Sequence, residues 1–285
     1  MNRAIFVVLL CTPICFAAAV NASELTEHTS QKLTMHFAGP GTHTLEVRTI
    51  EGNIKVEAYD GADVEMIVDK SLSAENEEEM RAAHRDVVLD IGDNAATIHA
   101  IVQYPNQQTC GGRGGFTSHS GYRARFDFTI RVPRTVRLQL CTINDSHVLV
   151  AGTAGDFDIS NVNGRITMTD VAGSGSAVTV NGAVAASFVS APQHSSTFRT
   201  INGDVDITLP EGTSADFHMK TFNGHLFTDF AVEPKAENAA VTRESLGGMS
   251  VIRTSGFTTV RAGNGGPDLT LESLNGDVRV LRRSK

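Results

Sequence analysis

Residues 197–228 read TFRTINGDVDITLPEGTSADFHMKTFNGHLFT, and the stretch states one phrase twice. Thr200-Ile201-Asn202-Gly203-Asp204-Val205 returns twenty-one residues later as Thr221-Phe222-Asn223-Gly224-His225-Leu226. Upstream the phrase recurs at Val162-Asn163-Gly164-Arg165-Ile166 and Val180-Asn181-Gly182-Ala183-Val184, and downstream at Leu274-Asn275-Gly276-Asp277-Val278. Thr142-Ile143-Asn144-Asp145 is a degenerate copy, and Thr49-Ile50-Glu51-Gly52-Asn53-Ile54 an outlying one. The steps from Asn144 through Asn163, Asn181 and Asn202 to Asn223 are 19, 18, 21 and 21 residues. A period near twenty marks a repeat architecture.

Each unit reads apolar-Asn-Gly-polar-apolar, and most continue with period two, as in Val205, Ile207 and Leu209. Period two is the signature of a strand with one buried face. One such strand cannot bury that face alone, whereas stacked units close a common core and satisfy backbone groups between rungs. Glycine accepts positive φ without penalty and asparagine tolerates it, so each Asn-Gly pair marks a corner. The expected fold is all-β: a β-solenoid resembling a parallel β-helix, with a β-rich N-terminal part carrying one short helix. The alternative is an antiparallel sandwich or meander, because Asn-Gly is also the strongest short hairpin signal. In a solenoid Asn163, Asn181, Asn202 and Asn223 stack as an amide ladder, with Asn202 between Asn181 and Asn223. The column Ile143, Val162, Val180, Ile201, Phe222 and Leu274 is then the expected core spine.

Arg3, the apolar run 4–20 and the small-residue site Val20-Asn21-Ala22 have the pattern of a secretory signal peptide over residues 1–22. Export to the periplasm, cell surface or extracellular space is therefore expected, and no later run is long and apolar enough to span a membrane. Without Arg3 the basic count is 24 − 1 = 23 against 32 acidic residues, a net charge near −9. An acidic exported chain is a poor partner for nucleic acid. Cys110 and Cys141 are the thiols left after signal cleavage, and an oxidising compartment makes a disulfide between them the default.

Residues 23–135 are expected to form the β-rich N-terminal region, and residues 136–285 the strand repeats. Ser23 to Gln31 is polar and expected to fray. Strands are expected around Leu33 to Phe37, Leu45 to Val47, Ile54 to Ala58, Val64 to Val68, Val87 to Ile91, Ala96 to Tyr104 and Ala124 to Val132. Ser73 is the expected N-cap of the helix, with Glu75, Glu77, Glu78 and Glu79 at its start and Arg81, His84 and Arg85 at its end, as the helix dipole prefers. The glycine-rich loop 106–121 lacks the Gly-Lys-Ser/Thr of a phosphate cradle. Residues 231–248 lack alternation and are expected to be a loop extruded from one coil, with strands resuming at Ser250 to Arg261 and Asp268 to Val280.

Val132-Pro133-Arg134-Thr135-Val136-Arg137-Leu138, the Asn-Gly series, Leu209-Pro210-Glu211-Gly212, and Gly263-Asn264-Gly265-Gly266 before the last repeat occur in a telling order. In these features the chain, from about residue 33, resembles the exported bacterial β-strand-repeat domains labelled "putative adhesin". The resemblance implies an exported β-solenoid with a surface-attachment or scaffold role, an envelope or surface protein or polymer as partner, and no catalytic residues or cofactor. Asn144-Asp145 departs from the Asn-Gly pattern.

An enzyme reading competes with it. Parallel β-helices carry polysaccharide lyases and hydrolases, which need clustered carboxylates and a base on one face. The positions after each Asn-Gly are Arg165, Ala183, Asp204, His225 and Asp277. Asp204 and His225 on successive coils are expected to be neighbours, yet no third catalytic group joins them, and a surface ion pair is the plainer reading. No His-x-x-x-His, Cys-x-x-Cys or calcium-loop spacing occurs, so no metal is expected; His218 and His225 lie seven apart without a carboxylate at ligand spacing. The absence of Trp, and of Tyr after Tyr122, argues against a lectin-like platform.

Overall fold

The computed structural model describes residues 24–94, 96–104, 121–235, 242–246, 249–253 and 257–283. The expected signal peptide, Cys110 and the glycine-rich loop up to residue 120 lie outside them. The elements run β1 (Leu25–Met35), β2 (Thr44–Arg48), β3 (Ile54–Tyr59), β4 (Val64–Ala74), α1 (Glu77–Asp86), β5 (Val88–Asp93), β6 (Thr97–Gln103), β7 (Tyr122–Pro133) and β8 (Arg137–Cys141). Next come β9 (Val148–Ala151), β10 (Phe157–Ser160), β11 (Ile166–Val171), β12 (Gly175–Val178), β13 (Val184–Phe188), β14 (Ser196–Asn202), β15 (Val205–Leu209), β16 (Ala215–Asn223) and β17 (Leu226–Thr228). The last are β18 (Val232–Pro234), β19 (Thr242–Leu246), β20 (Met249–Arg253), β21 (Thr258–Ala262), β22 (Asp268–Asn275) and β23 (Val278–Arg282).

The strands form two large mixed sheets, ordered β1-β4-β7-β3-β9-β11-β13-β15-β23-β17-β20-β19 and β18-β21-β16-β22-β14-β12-β10-β8-β2-β6-β5. From β8 to β15 successive strands alternate between the sheets, and each of β8 to β13 pairs in parallel with the strand two places on. Pairing turns antiparallel towards the sheet ends, at β1-β4-β7, β5-β6, β16-β21-β18 and β17-β20-β19.

Alternation places the core between the sheets. Val148, Ile166, Val184, Val205, Val278 and Leu226 stand in register on the inner face of the first sheet, all buried. Leu140, Ile159, Ala177, Phe198, Leu271 and Met219 face them from the second. Phe157, Phe188 and Phe198 meet with ring centroids 5.9–6.4 Å apart, at about 1.5–3 kcal/mol per fully buried side chain. The expected spine is not this core. Val162, Val180 and Ile201 are half-buried, Leu274 and Phe222 are 46% and 76% exposed, and only Ile143 is buried. The inward position is two residues before each Asn, where Thr142, Thr179, Thr200 and Ser273 stand buried. Alternation then sends the apolar residue next to the Asn outward.

The C-terminal repeat makes the largest departure from sequence order. Strand β22 lies between β14 and β16, and β23 between β15 and β17. The final repeat is therefore inserted between two repeats adjacent in sequence, and Asn202 and Asn223 are not neighbours. Three smaller expectations also change. Residues 25–31 belong to strand β1, because antiparallel pairing with β4 satisfies their backbone despite exposed side chains. Strand β4 runs on to Ala74, so Asn76 caps α1; its Oδ1 accepts from the N–H groups of Glu78 and Glu79 at 2.9 and 3.0 Å. Residues 231–248 include β18 and β19, and β20 and β21 pair antiparallel at the sheet ends instead of opening a new coil.

Two glycines give a direct test of how closely the coils approach. Gly203 has φ 150°, and a Cβ there would lie 2.3 Å from the carbonyl oxygen of Gly182, whereas a Cβ on Gly212 meets nothing within 4 Å. Gly203→Ala is expected to cost about 2–4 kcal/mol from overlap and backbone strain, and Gly212→Ala less than about 0.5 kcal/mol. Chemical denaturation midpoints of the two variants check this.

Candidate functional site

The Asn-Gly corners carry the chain from the second sheet to the first, so every repeat delivers its asparagine to one edge of the molecule. There the side-chain amides join. Asn163 Nδ2 donates to Asn144 Oδ1 at 2.9 Å, and the links Asn181 to Asn163, Asn202 to Asn181, Asn275 to Asn202 and Asn223 to Asn275 follow at 2.7 Å each. The order contains Asn275 between Asn202 and Asn223, as the inserted coil requires. Inside the corner a second ladder runs parallel to it. Thr179 Oγ1 donates to Gly164 O at 2.9 Å, Thr200 Oγ1 to Gly182 O at 2.7 Å, Ser273 Oγ to Gly203 O at 2.8 Å and Thr221 Oγ1 to Gly276 O at 2.7 Å. Gly224 stands in the same column, where a Cβ would lie 2.0 Å from Gly276 O. These buried hydroxyls need partners to be tolerated, and the corner glycines supply them.

The residue that precedes each first-sheet strand forms a third row. Asp204 Oδ1 accepts from the backbone N–H of Asp277 at 2.8 Å, and Asp277 Oδ1 accepts from that of His225 at 3.0 Å. Asp204 and His225 are thus separated by Asp277, again because of the inserted coil; the imidazole Nδ1 lies 3.5 Å from Asp277 Oδ1. Arg279 Nη1 donates to Asp204 Oδ2 and Asp206 Oδ1 at 3.0 Å each, and Nη2 to Asp277 Oδ2 at 2.5 Å. Burial opposes ionisation of Asp204, but the Asp277 N–H and the Arg279 guanidinium outweigh it and hold the carboxyl below the usual range. Both oxygens of Asp204 and of Asp277 are occupied. Chemically the row is a set of pins between repeats, each of these four carboxylate oxygens accepting a hydrogen bond from a neighbouring repeat or from Arg279.

The same row continues beyond the repeats, where sequence reading missed it. Asp127 Oδ1 accepts from Asn53 N at 2.8 Å, and Asn53 Oδ1 accepts from His147 N at 2.8 Å. These partners lie 74 and 94 residues apart; Asn53 and His147 precede β3 and β9, but Asp127 stands inside β7, so no local motif marks the row there. Arg125 grips Asp127 through two bonds of 2.8 Å. It also explains the irregular corner: Asp145 stands at φ 45°, its carbonyl accepting from Arg125 Nη1 at 3.1 Å and its carboxylate bound by Arg123 and Arg125.

Arg165 and Ala183 fill the middle of the row. Among the described residues no group of three or more His, Cys, Asp or Glu could hold a metal ion, and His218 instead bonds Asp268 and Thr259 at 2.9 and 3.1 Å. Cys141 ends β8, in register with Arg48 and Ser160. Cys110, its expected partner, lies outside the described residues.

No family model and no curated protein matches the chain. Among solved structures it is similar to a "putative cell adhesion protein" from Clostridium sporogenes, at 9% identity and TM-score 0.42, covering 90% of this chain and 100% of that one. It is also similar to a "putative adhesin" from Bacteroides fragilis, at 8% identity and TM-score 0.25, and to a "putative lipid binding protein" from Parabacteroides distasonis, at 7% and 0.22. Each of these two comparisons covers 90% of this chain and 97% of the other.

Two predictions follow the geometry of these rows. Double-mutant cycles to Ala should give a coupling of about 0.5–1.5 kcal/mol for Asn202 with Asn275 and for Asn275 with Asn223. Asn202 with Asn223, two rungs or about 10 Å apart, should be additive to within about 0.5 kcal/mol. Arg279→Met should raise the midpoint at which Asp204 titrates, followed through its side-chain carboxyl carbon by NMR; an unmoved midpoint would show that the guanidinium does not set it.

Proposed function

We propose that this chain is an exported, non-catalytic, adhesin-like β-repeat protein, its body a β-solenoid, with an interaction or scaffold role at the cell envelope or surface. The observation that carries the reading is the state of the third row: Asp204 and Asp277 spend both carboxylate oxygens holding neighbouring coils and Arg279. Parallel in-register pairing from β8 to β15, with strands alternating between sheets, supports the coiled body. Export rests on the sequence of residues 1–22, and among the described residues no helix is long and apolar enough to cross a membrane. The outward column from Val162 to Phe222 gives the body a continuous ridge beside the amide ladder, suited to an extended protein or polymer surface. The disulfide between Cys110 and Cys141 belongs to the same proposal.

The test is incubation of mature protein with acidic and neutral polysaccharides, followed by assays for new reducing ends and unsaturated products. No turnover is expected. Turnover abolished by both Asp204→Asn and His225→Ala would replace this reading with the carbohydrate-active enzyme.

A further inference from the structure

Strand β11 does not run straight. Its pairing with β13 slips between Met168 and Val171, and Asp170 stands there at φ 53°, a left-handed conformation uncommon for residues other than glycine. Bulges bend a strand and re-aim its side chains, and backbone strain of this kind collects at binding sites. Two contacts hold it in place. The Asp170 N–H donates to Ser187 Oγ at 3.0 Å, and the Asp170 carboxylate accepts from Arg283 Nη2 at 2.6 Å.

Beside the bulge the chain places the small residues Ala58, Ala151, Gly152 and Ala172. A groove of about 580 Å³ opens over them, within the size range of small-molecule sites. Arg134 bounds it on the β3 and β9 side, donating to Asp60 Oδ1 at 2.7 Å and Gly152 O at 3.3 Å. Arg283 bounds it on the β11 and β13 side, where Nη1 also donates to Phe188 O at 3.3 Å. A guanidinium has five N–H groups, so each arginine keeps three that no hydrogen bond among the described residues uses. The Glu57 carboxylate, also at the groove, makes no hydrogen bond or ion pair among them either. Val189 adds an apolar rim, 53% exposed.

The geometry points to a binding site for a short neutral oligosaccharide. Along the groove Glu57 and Asp170 balance Arg134 and Arg283, Asp60 sits on Arg134, and the chain carries −8 overall, so an anion meets no net attractive field. A sugar hydroxyl both donates and accepts. Guanidinium N–H groups beside carboxylate oxygens match a run of hydroxyls, and the flat alanine and glycine floor admits the C–H face of a pyranose ring. No aromatic platform adds to these contacts, so weak binding is expected. The groove lies apart from the row of Asp204 and Asp277, and this inference goes beyond the surface-interaction reading.

The experiment titrates ¹⁵N-labelled protein with cellohexaose, maltohexaose and xylohexaose, and with hexagalacturonate as the acidic comparison. A neutral hexasaccharide is expected to shift the amide signals of Gly152, Thr169 and Asp170, and hexagalacturonate to leave them in place. Thr169→Trp, at an exposed position in the groove, should abolish the response, and Glu57→Gln should weaken it about tenfold. Thr197→Trp on the second sheet should leave it unchanged. Glu57→Gln decides the matter if Thr169→Trp does not fold. No response to any neutral sugar, a response to hexagalacturonate alone, shifts clustered elsewhere, or wild-type binding in the groove variants would overturn the inference. Reducing-end assays on the same samples separate the two readings: binding with cleavage sinks the non-catalytic reading and keeps the groove, while absence of binding sinks the groove alone.

Discussion

The carbonyl oxygen of each corner glycine is the point on which the stacking depends. Gly182 O accepts the Thr200 hydroxyl from the next coil at 2.7 Å and lies 2.3 Å from where a Cβ on Gly203 would be. Gly203 O stands in the same relation to Ser273 and Gly276, and Gly276 O to Thr221 and Gly224. A side chain at any of these glycines would push the coils apart. The inner hydroxyl ladder and the outer amide ladder would then lose their geometry together. Glycine sets the approach, and threonine and asparagine convert it into hydrogen bonds on the two sides of the corner.

The inserted C-terminal repeat depends on the same arrangement. Because every corner presents the same donors and acceptors, Asn275-Gly276 fits between Asn202-Gly203 and Asn223-Gly224 as well as either fits the other. Gly203 N–H donates to Asn275 O at 2.9 Å and Gly276 N–H to Asn223 O at 3.0 Å. The insertion brings Arg279 onto Asp204 and Asp206, partners 75 and 73 residues away. Contacts this distant form against a large loop-closure entropy, so the acidic row is completed only when the end of the chain docks. Asp216 shows the same dependence nearby. It is buried and held by Arg261 at 2.9 Å and Lys235 at 2.8 Å, and these partners together keep its carboxyl well below the usual range.

Much of this was legible in the residues. The period-two alternation located the strands of the body, and the recurring Asn-Gly pairs fixed where the chain turns from one sheet to the other. Which side of each corner faces inward was not legible. Hydrophobicity pointed to Val180, Ile201 and Leu274, yet the buried residue is the Thr179, Thr200 or Ser273 before them, because its hydroxyl has a carbonyl to meet. Ladder order was not legible either, since near-identical repeats can exchange places without altering any local pattern. The extension of the third row to Asn53 and Asp127 was hidden for a related reason: it joins residues by register between distant strands and not by motif. The groove at Asp170 left no mark in the sequence, because a bulge in β11 and the reach of Arg283 from the end of the chain create it.

The order of the repeats is the claim on which the amide ladder and the acidic row both rest. Scalar couplings across hydrogen bonds, recorded between amide nitrogens and carbonyl carbons by NMR, read it without mutation. The structure predicts a correlation from Gly203 N to Asn275 C and another from Gly276 N to Asn223 C. A correlation from Gly203 N to Asn223 C, with none to Asn275, would contradict it.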